Sequence, residues 1–440
     1  MFDLITAIAT PPGAGGIGII RISGNGAANI AAKLFPPNTP PLKNNYLQRV
    51  NIITPVGALL DKGMAVVMAP GFTGEEVVEL HCHGSPILLQ IILDELFKLG
   101  VRHAEPGEFT KRAFLNGRLD LTAAEAIHDL ITAPDRAAAQ NAVGHLNGLL
   151  AQQLNASATE LTKLCAHFYA FVDYPDDDIS DLDTVTLSAA LEKIEHSLTA
   201  LAATHERGQK LRQGTTIALV GAPNAGKSSL LNALLGYERA IVSPIAGTTR
   251  DTVSEQLSLG GRLFKIIDTA GIRDTHSADH IEALGIERSL TAIETAEMIL
   301  YIIDATQPSV NNALLTSKTI TVCNKSDLLP EPLDIYIAPT AVYTSALTGS
   351  GLDELVDAIL DKADKTEYTE STLITNARQA SAVQNAAANL TNARHALLST
   401  TPDVVISELE SALSALHQVT GRNAQYDILD AVFENFCVGK

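Results

Sequence analysis

Gly221-Ala222-Pro223-Asn224-Ala225-Gly226-Lys227-Ser228 decides the fold of the middle of the chain. It fits the pattern GxxxxGK[ST], in which glycines let backbone N–H groups converge on phosphate oxygens. The lysine of that pattern reaches the β and γ phosphates, and the hydroxyl after it ligates Mg²⁺. The bare pattern arises by chance in loops. Here it follows the apolar, β-branched run 216–220 and opens a helical pattern over 227–235, the context the mechanism requires. Working outward, the runs 264–268, 299–303 and 319–322 are again short and apolar, and helical patterns occupy 283–295 and 352–364. Such alternation predicts a parallel sheet with helices on both faces, an α/β P-loop domain of the Ras-like type.

Four further elements arrive in order. Asp268-Thr269-Ala270-Gly271 ends a predicted strand, so Asp268 can hold the Mg²⁺ shell and the Gly271 amide can meet a γ-phosphate. Asn324-Lys325-Ser326-Asp327 follows another strand and matches NKxD. An aspartate there accepts from both N1–H and the 2-amino group of guanine, donors that adenine does not present. Gly247-Thr248-Thr249-Arg250-Asp251 lies where switch I threonines stand, which makes Thr249 a second Mg²⁺ ligand beside Ser228. Ser345-Ala346-Leu347 resembles a weaker base-contacting loop. Any one of these is a turn or a cap when met alone; five in order in one α/β segment read as a GTP site. Its residues are Asn224, Ala225, Gly226, Lys227, Ser228, Ser229, Ser243, Pro244, Ile245, Ala246, Gly247, Thr248, Thr249, Asp268, Thr269, Ala270, Gly271, Asn324, Lys325, Asp327, Ser345, Ala346 and Leu347. Ile272 stands where Ras-like enzymes place a water-orienting glutamine, so help for hydrolysis must come from elsewhere. Asn224 brings a carbonyl-bearing side chain beside the phosphates, suited to a monovalent cation that neutralises developing charge.

The flanks have other rhythms. Residues 1–118 are rich in Gly and Pro, with strand-like runs at 18–22, 64–68 and 77–82 and a helical pattern at 86–99, an α+β texture. Ala and Leu then recur at helical spacing through 124–131, 137–154 and 187–205, and again through 377–398, 404–419 and 426–436. The economical reading is one all-α helical domain, 119–211 and 372–440, split by an inserted G domain at 212–371. A chain of 440 residues suits such a multidomain plan. Its net charge of −19 argues against a free-standing nucleic-acid binder, whose affinity comes from neutralising phosphates. The opening residues lack a basic n-region, no run is apolar enough to span a membrane, and the four scattered cysteines form no CxxC pair. The expectation is a reduced, cytoplasmic protein. His81-Cys82-His83 with His103 lacks a second closely spaced ligand pair, and the acidic run 176–183 lacks the glycine and final glutamate of an EF-hand; strand residues and a solvated loop are the readings.

The combination of GxPNxGKS, GTTRD and DTAG followed by an aliphatic residue resembles the potassium-activated GTPases. Along the whole chain, the segments 5–13, 20–24, 107–117, 120–126 and 436–440 resemble the MnmE (TrmE) family of tRNA-modification GTPases. That resemblance implies that Asn224 ligates K⁺ together with Ser243, Ile245 and Thr248, completed when two G domains meet. It implies a water-orienting glutamate after DTAG, here Glu282 with Asp279 as competitor. It implies an N-terminal domain that dimerises and binds 5-formyltetrahydrofolate or 5,10-methylenetetrahydrofolate through Arg21, Glu79, Arg118 and Lys440, with Cys437 a functional thiol. Ser243 stands where threonine is expected, and a backbone carbonyl ligand survives that change. Arg118 stands where lysine is expected and alters the hydrogen-bond geometry. Folate's glutamate tail suits Arg21 or Lys440, and its pterin suits Glu79. The implied partners are a second copy, an FAD-containing MnmG-type protein in a heterotetramer, and tRNA, with no membrane. The implied reaction is modification at C5 of the wobble uridine. The rivals are a regulatory or ribosome-assembly GTPase acting as a switch, and a folate enzyme whose G domain only regulates.

Overall fold

A computed structural model describes residues 3–173, 184–237, 254–260, 262–268, 293–329, 341–364, 372–399 and 401–422, with 429, 432–434, 436, 438 and 439. The N-terminal part runs β1 (Ile5–Ile8), β2 (Gly15–Ser23), α1 (Ala27–Ala32), β3 (Gln48–Ile53), β4 (Leu59–Met68), β5 (Val77–Gly84), α2 (Pro86–Lys98), β6 (Arg102–His103) and α3 (Glu108–Leu115). The sheet order is β3-β4-β5-β2-β1-β6, antiparallel except for the β1–β6 pair. Ile20 and Ile22 on β2 share a core with Val78 and Leu80 on β5 and with Leu89, Ile92, Leu93 and Leu96 on α2. Side chains alternate along a strand, so Arg21 and Glu79, register partners, point to the opposite face.

The helical layer comprises α4 (Leu121–Ile131), α5 (Arg136–Leu146), α6 (Leu149–Asp173) and α7 (Thr184–Gln213). The single helix expected over 137–154 is two. Gly148 takes φ +79, the left-handed value that closes a helix, and its N–H bonds back to His145 O at 2.9 Å. The acidic run 176–183 lies outside the described residues.

The middle of the chain runs β7 (Thr215–Gly221), α8 (Lys227–Leu235), β8 (Ser254–Leu259), β9 (Arg262–Asp268), β10 (Met298–Asp304), β11 (Thr319–Asn324), β12 (Val342–Tyr343) and α9 (Leu352–Asp364). Its sheet order is β12-β11-β10-β7-β9-β8. The pairs are parallel as expected, with one correction: β8 is antiparallel to β9, a hairpin the sequence reading did not include. Of the helix expected at 283–295, only 293–295 are described, and they are helical. One face buries Leu230, Leu231 and Leu234 of α8 with Leu355, Val356 and Ile359 of α9. The helices α10 (Ala377–Ser399) and α11 (Pro402–Thr420) follow, so α-helical chain stands on both sides of the inserted α/β segment.

Two compact units emerge from the packing. One holds Met1–His128, Gly144–Thr199 and Ser381–Lys440; the other holds Asp129–Val143 and Ala200–Ala380. Within the first, Leu121 and Ala124 of α4 bury Leu429, Phe433 and Phe436 from the end of the chain. Within the second, the Asp135 carboxylate accepts from Ala138 N at 2.8 Å, capping α5, and from Leu263 N at 3.1 Å, gripping the start of β9. No helix among the described residues is long and apolar enough to cross a membrane.

Candidate functional site

Parallel pairing brings the motif-bearing strand ends to one edge of the second sheet. Gly221 registers with Ile302, Asp268 with Leu219, and Asn324 with Asp304. β7 lies between β9 and β10, the point of an open α/β sheet at which ligands bind beyond the carboxyl ends of the strands.

From the end of β7 the loop turns through left-handed conformations at Asn224 (φ +63) and Gly226 (φ +92), and α8 starts at Lys227. The first N–H groups of α8 have no acceptor within the helix and carry the positive end of its dipole, so they suit phosphate. A side chain at Gly226 would collide with Asn324 Nδ2, which explains the glycine. Lys227 Nζ donates to Gly221 O at 2.9 Å and Ala222 O at 3.0 Å, lying across the loop. Ser228 and Ser229 are exposed on the first turn, where the Ser228 hydroxyl would hold Mg²⁺ to shield phosphate charge.

Asn324 is a brace. Buried at the end of β11, it donates from Nδ2 to Ala225 O at 3.0 Å and accepts at Oδ1 from Ala346 N at 3.1 Å. One side chain therefore ties the phosphate loop to the 345–347 loop, where Ser345 is buried and Leu347 exposed. Lys325 turns left-handed at φ +66, and Asp327 stands exposed on the short turn Ser326–Leu328. Lys325 Nζ is held at 2.6 Å by Asp304 Oδ2 at the end of β10, a residue in none of the sequence motifs. Asp268 closes β9. Ser243, Pro244, Ile245, Ala246, Gly247, Thr248, Thr249, Thr269, Ala270, Gly271, Ile272, Asp279 and Glu282 lie outside the described residues, as does the side chain of Asp268.

A second polar cluster occupies the first unit. Arg21 on β2 reaches across to its register partner on β5, with Nε donating to Glu79 Oε1 at 3.0 Å and Nη2 at 2.9 Å. His81 Nε2 lies 3.3 Å from the other oxygen of Glu79. Arg21 Cζ sits 5.5 Å from the centre of the Phe109 ring, within cation–π range. Its Nη1 donates to Gly439 O at 3.1 Å. Pro106 and Val438 form an antiparallel bridge, and Gly439, at φ +96, lies so close to Ile8 O that a Cβ would not fit. The end of the chain is thus clamped on Arg21, while Cys437 and Lys440 themselves lie outside the described residues.

Arg21 and Glu79, read as serving opposite ends of one ligand, are bonded to each other. The cluster offers a charge-paired patch with a cation and an acceptor side by side. Arg118 is exposed elsewhere: its stem covers Gly74 and its N–H bonds to Ala113 O at 2.8 Å. His83 follows the strand alternation but is drawn to Asp61 on β4, with Nδ1 2.7 Å from Oδ1. Cys82 faces the core between them, and burial pushes its thiol up to about 12. Arg112 of α3, almost wholly buried, binds Asp3 O at 2.7 Å and Glu108 Oε1 at 2.8 Å, and Glu108 in turn binds Arg102 at 2.7 Å. This ionic network, buried at Arg112 and Glu108 and exposed at Asp3 and Arg102, fixes the helix that carries Phe109.

Two family descriptions match: GTP-binding protein TrmE N-terminus over residues 4–118 and MnmE helical domain over 121–437. Full-length relatives are similar. The tRNA modification GTPase MnmE of Syntrophotalea carbinolica is 39% identical over 454 residues, that of Moorella thermoacetica 41% over 463, and that of Thermus thermophilus 40% over 444. Each comparison covers 100% of this chain and 99% of the relative.

Proposed function

This chain belongs to the MnmE family of tRNA-modification GTPases, and from that premise we propose how its two sites divide the work. The G domain binds GTP and hydrolyses it to GDP and phosphate. The observation that carries the nucleotide site is Asn324, whose amide joins the phosphate loop to the base-side loop. Asp327 reads guanine, Lys227 and the N-terminal amides of α8 hold the phosphates, and Ser228 with Thr249 holds Mg²⁺. Asn224, with Ser243, Ile245 and Thr248, holds K⁺, which offsets negative charge developing on the phosphates. Glu282 or Asp279 orients water.

The N-terminal site takes a tetrahydrofolate one-carbon donor, 5-formyl or 5,10-methylene. Arg21 and Glu79 form its floor, the tail ending at Lys440 its wall, and Arg118 and Cys437 complete the proposed set. The support is the clamp of Arg21 on Glu79 and on Gly439 O, which puts a half-buried cation and an acceptor at one place. With an FAD-containing MnmG-type partner, a homodimer of this cytoplasmic enzyme modifies C5 of the wobble uridine in certain tRNAs, giving a carboxymethylaminomethyl-type product. GTP hydrolysis drives the conformational change of that complex. The proposed domains are 1–118, a helical domain of 119–211 and 372–440, and the inserted G domain 212–371.

Nucleoside analysis of tRNA from cells lacking the protein tests the whole reading. Loss of the C5-modified wobble uridine is expected; an unchanged profile overturns it. Exchanging K⁺ for Na⁺ is expected to slow GTP hydrolysis at least about tenfold, and a rate indifferent to the cation removes K⁺ from the site.

A further inference from the structure

The ion pair at the end of β10 ties Lys325 of the guanine-reading loop to Asp304, a residue in none of the motifs. Asp304 and Asn324 are register partners at the ends of adjacent parallel strands, so Lys325, the residue after Asn324, lies within reach of Asp304. The Asp304 carboxylate is held at both oxygens. Oδ1 accepts from Thr306 N at 2.9 Å and from Thr306 Oγ1 at 2.6 Å, while Oδ2 takes Lys325 Nζ at 2.6 Å. Thr306 thus holds the carboxylate by the oxygen that the lysine does not use. The lysine is fixed at its other end as well, since its backbone is left-handed and the preceding Asn324 is pinned on two sides. Both side chains are only partly exposed, at 33% for Lys325 and 23% for Asp304. A free lysine stem has four rotatable bonds and loses much freedom when one conformation is required. Here that ordering is complete in the protein itself.

We propose that Asp304 is a positioning residue for guanine-nucleotide binding, acting through Lys325 by holding its stem extended along the base-side rim beside Asp327. It rests on the assignment of the NKxD loop as the base site. Preorganisation of this kind strengthens binding by removing the cost of ordering, without a new contact to the ligand. Removing the carboxylate leaves Lys325 present but loose. The Asp304 variants then behave like a partial loss of Lys325, and the two effects do not add.

The experiment is a double-mutant cycle on the full chain, read as the affinity and dissociation rate of a fluorescent GDP analogue. Lys325→Ala is expected to weaken binding by about tenfold or more. Asp304→Ala and the near-isosteric Asp304→Asn are expected to weaken it by about tenfold in the wild-type background and less than about twofold in the Lys325→Ala background. Asp304→Asn keeps the Thr306 contacts to Oδ1, so it reports on the ion pair even if Asp304→Ala folds poorly. No loss in Asp304→Asn, or an equal loss in both backgrounds, overturns the positioning role. A Lys325→Ala protein that binds the analogue like wild type overturns the base-site assignment instead.

Discussion

Asp3 and Arg112 illustrate what single residues carry in this chain. Arg112 is a charge in the core, and it is stable there because Asp3 O, Asp3 Oδ1 and Glu108 Oε1 all accept from it. Hydrogen bonding to the Arg102 guanidinium, aided by Arg112, holds the Asp3 carboxyl at about 2, below its ordinary 3.8. A carboxyl depressed on folding stabilises the protein above its unfolded value, and that stabilisation is lost as pH falls through the folded value. Asp3→Asn is therefore expected to lower the unfolding midpoint at pH 5 and above. The gap from wild type should close as pH falls from about 4 towards 2. Urea titrations of both proteins across that range check it, and a gap independent of pH would contradict the assignment. Because Asp3 is largely exposed, solvent screens the pair, and the effect is expected to be modest.

At the scale of elements, Asp135 joins a helix to a strand by two bonds from one carboxylate. Asp135→Ala removes a helix cap, at about 0.5–2 kcal/mol, and leaves the buried Leu263 N–H unpaired, at about 1–3 kcal/mol. The expected loss is about 2–4 kcal/mol by denaturant unfolding, with Asp135→Asn intermediate because the amide keeps one acceptor. A loss below about 0.5 kcal/mol would mean that the tie is idle. Elements of this kind were legible in the sequence where apolar periodicity was clean. The strand before the phosphate loop, α8 and α9 lie where the pattern put them. β8 was missed because only Leu257 and Leu259 mark its buried side and it lies antiparallel at the edge. α3 was missed because its inward face includes Glu108 and Arg112, and a sequence reading assigns charges to water. The same habit hid Asp304, whose role depends on a neighbour twenty-one residues away in sequence and adjacent only through strand pairing. The motif loops were readable because phosphate chemistry dictates residue type and spacing. Arg21 and Glu79 were singled out only through family resemblance, and their pairing was not read, since cross-strand register leaves no local mark.

For the whole molecule, the meeting of Arg21 with Gly439 joins positions 418 residues apart. Deleting residues 437–440 is expected to leave GTP hydrolysis within about twofold of wild type. It should abolish or weaken the binding of 5-formyltetrahydrofolate by more than about tenfold, because Arg21 loses its backbone acceptor. Titration of the truncated protein decides it, and full-strength binding would refute a pocket shared by the two regions. The same contact also sets a clock. At about 5–20 residues per second, a ribosome that has made Arg21 needs on the order of 20–80 s to reach Gly439. The strands bearing Arg21 and Glu79 are out of the exit tunnel for much of that time, free to pair before their clamp exists. A nascent chain can therefore own a finished sheet and a finished phosphate loop before the Arg21–Gly439 contact of the proposed cofactor pocket can form. If the proposed folate site is right, synthesis that stops before residue 437 is expected to yield a protein that turns over GTP but binds the one-carbon donor weakly.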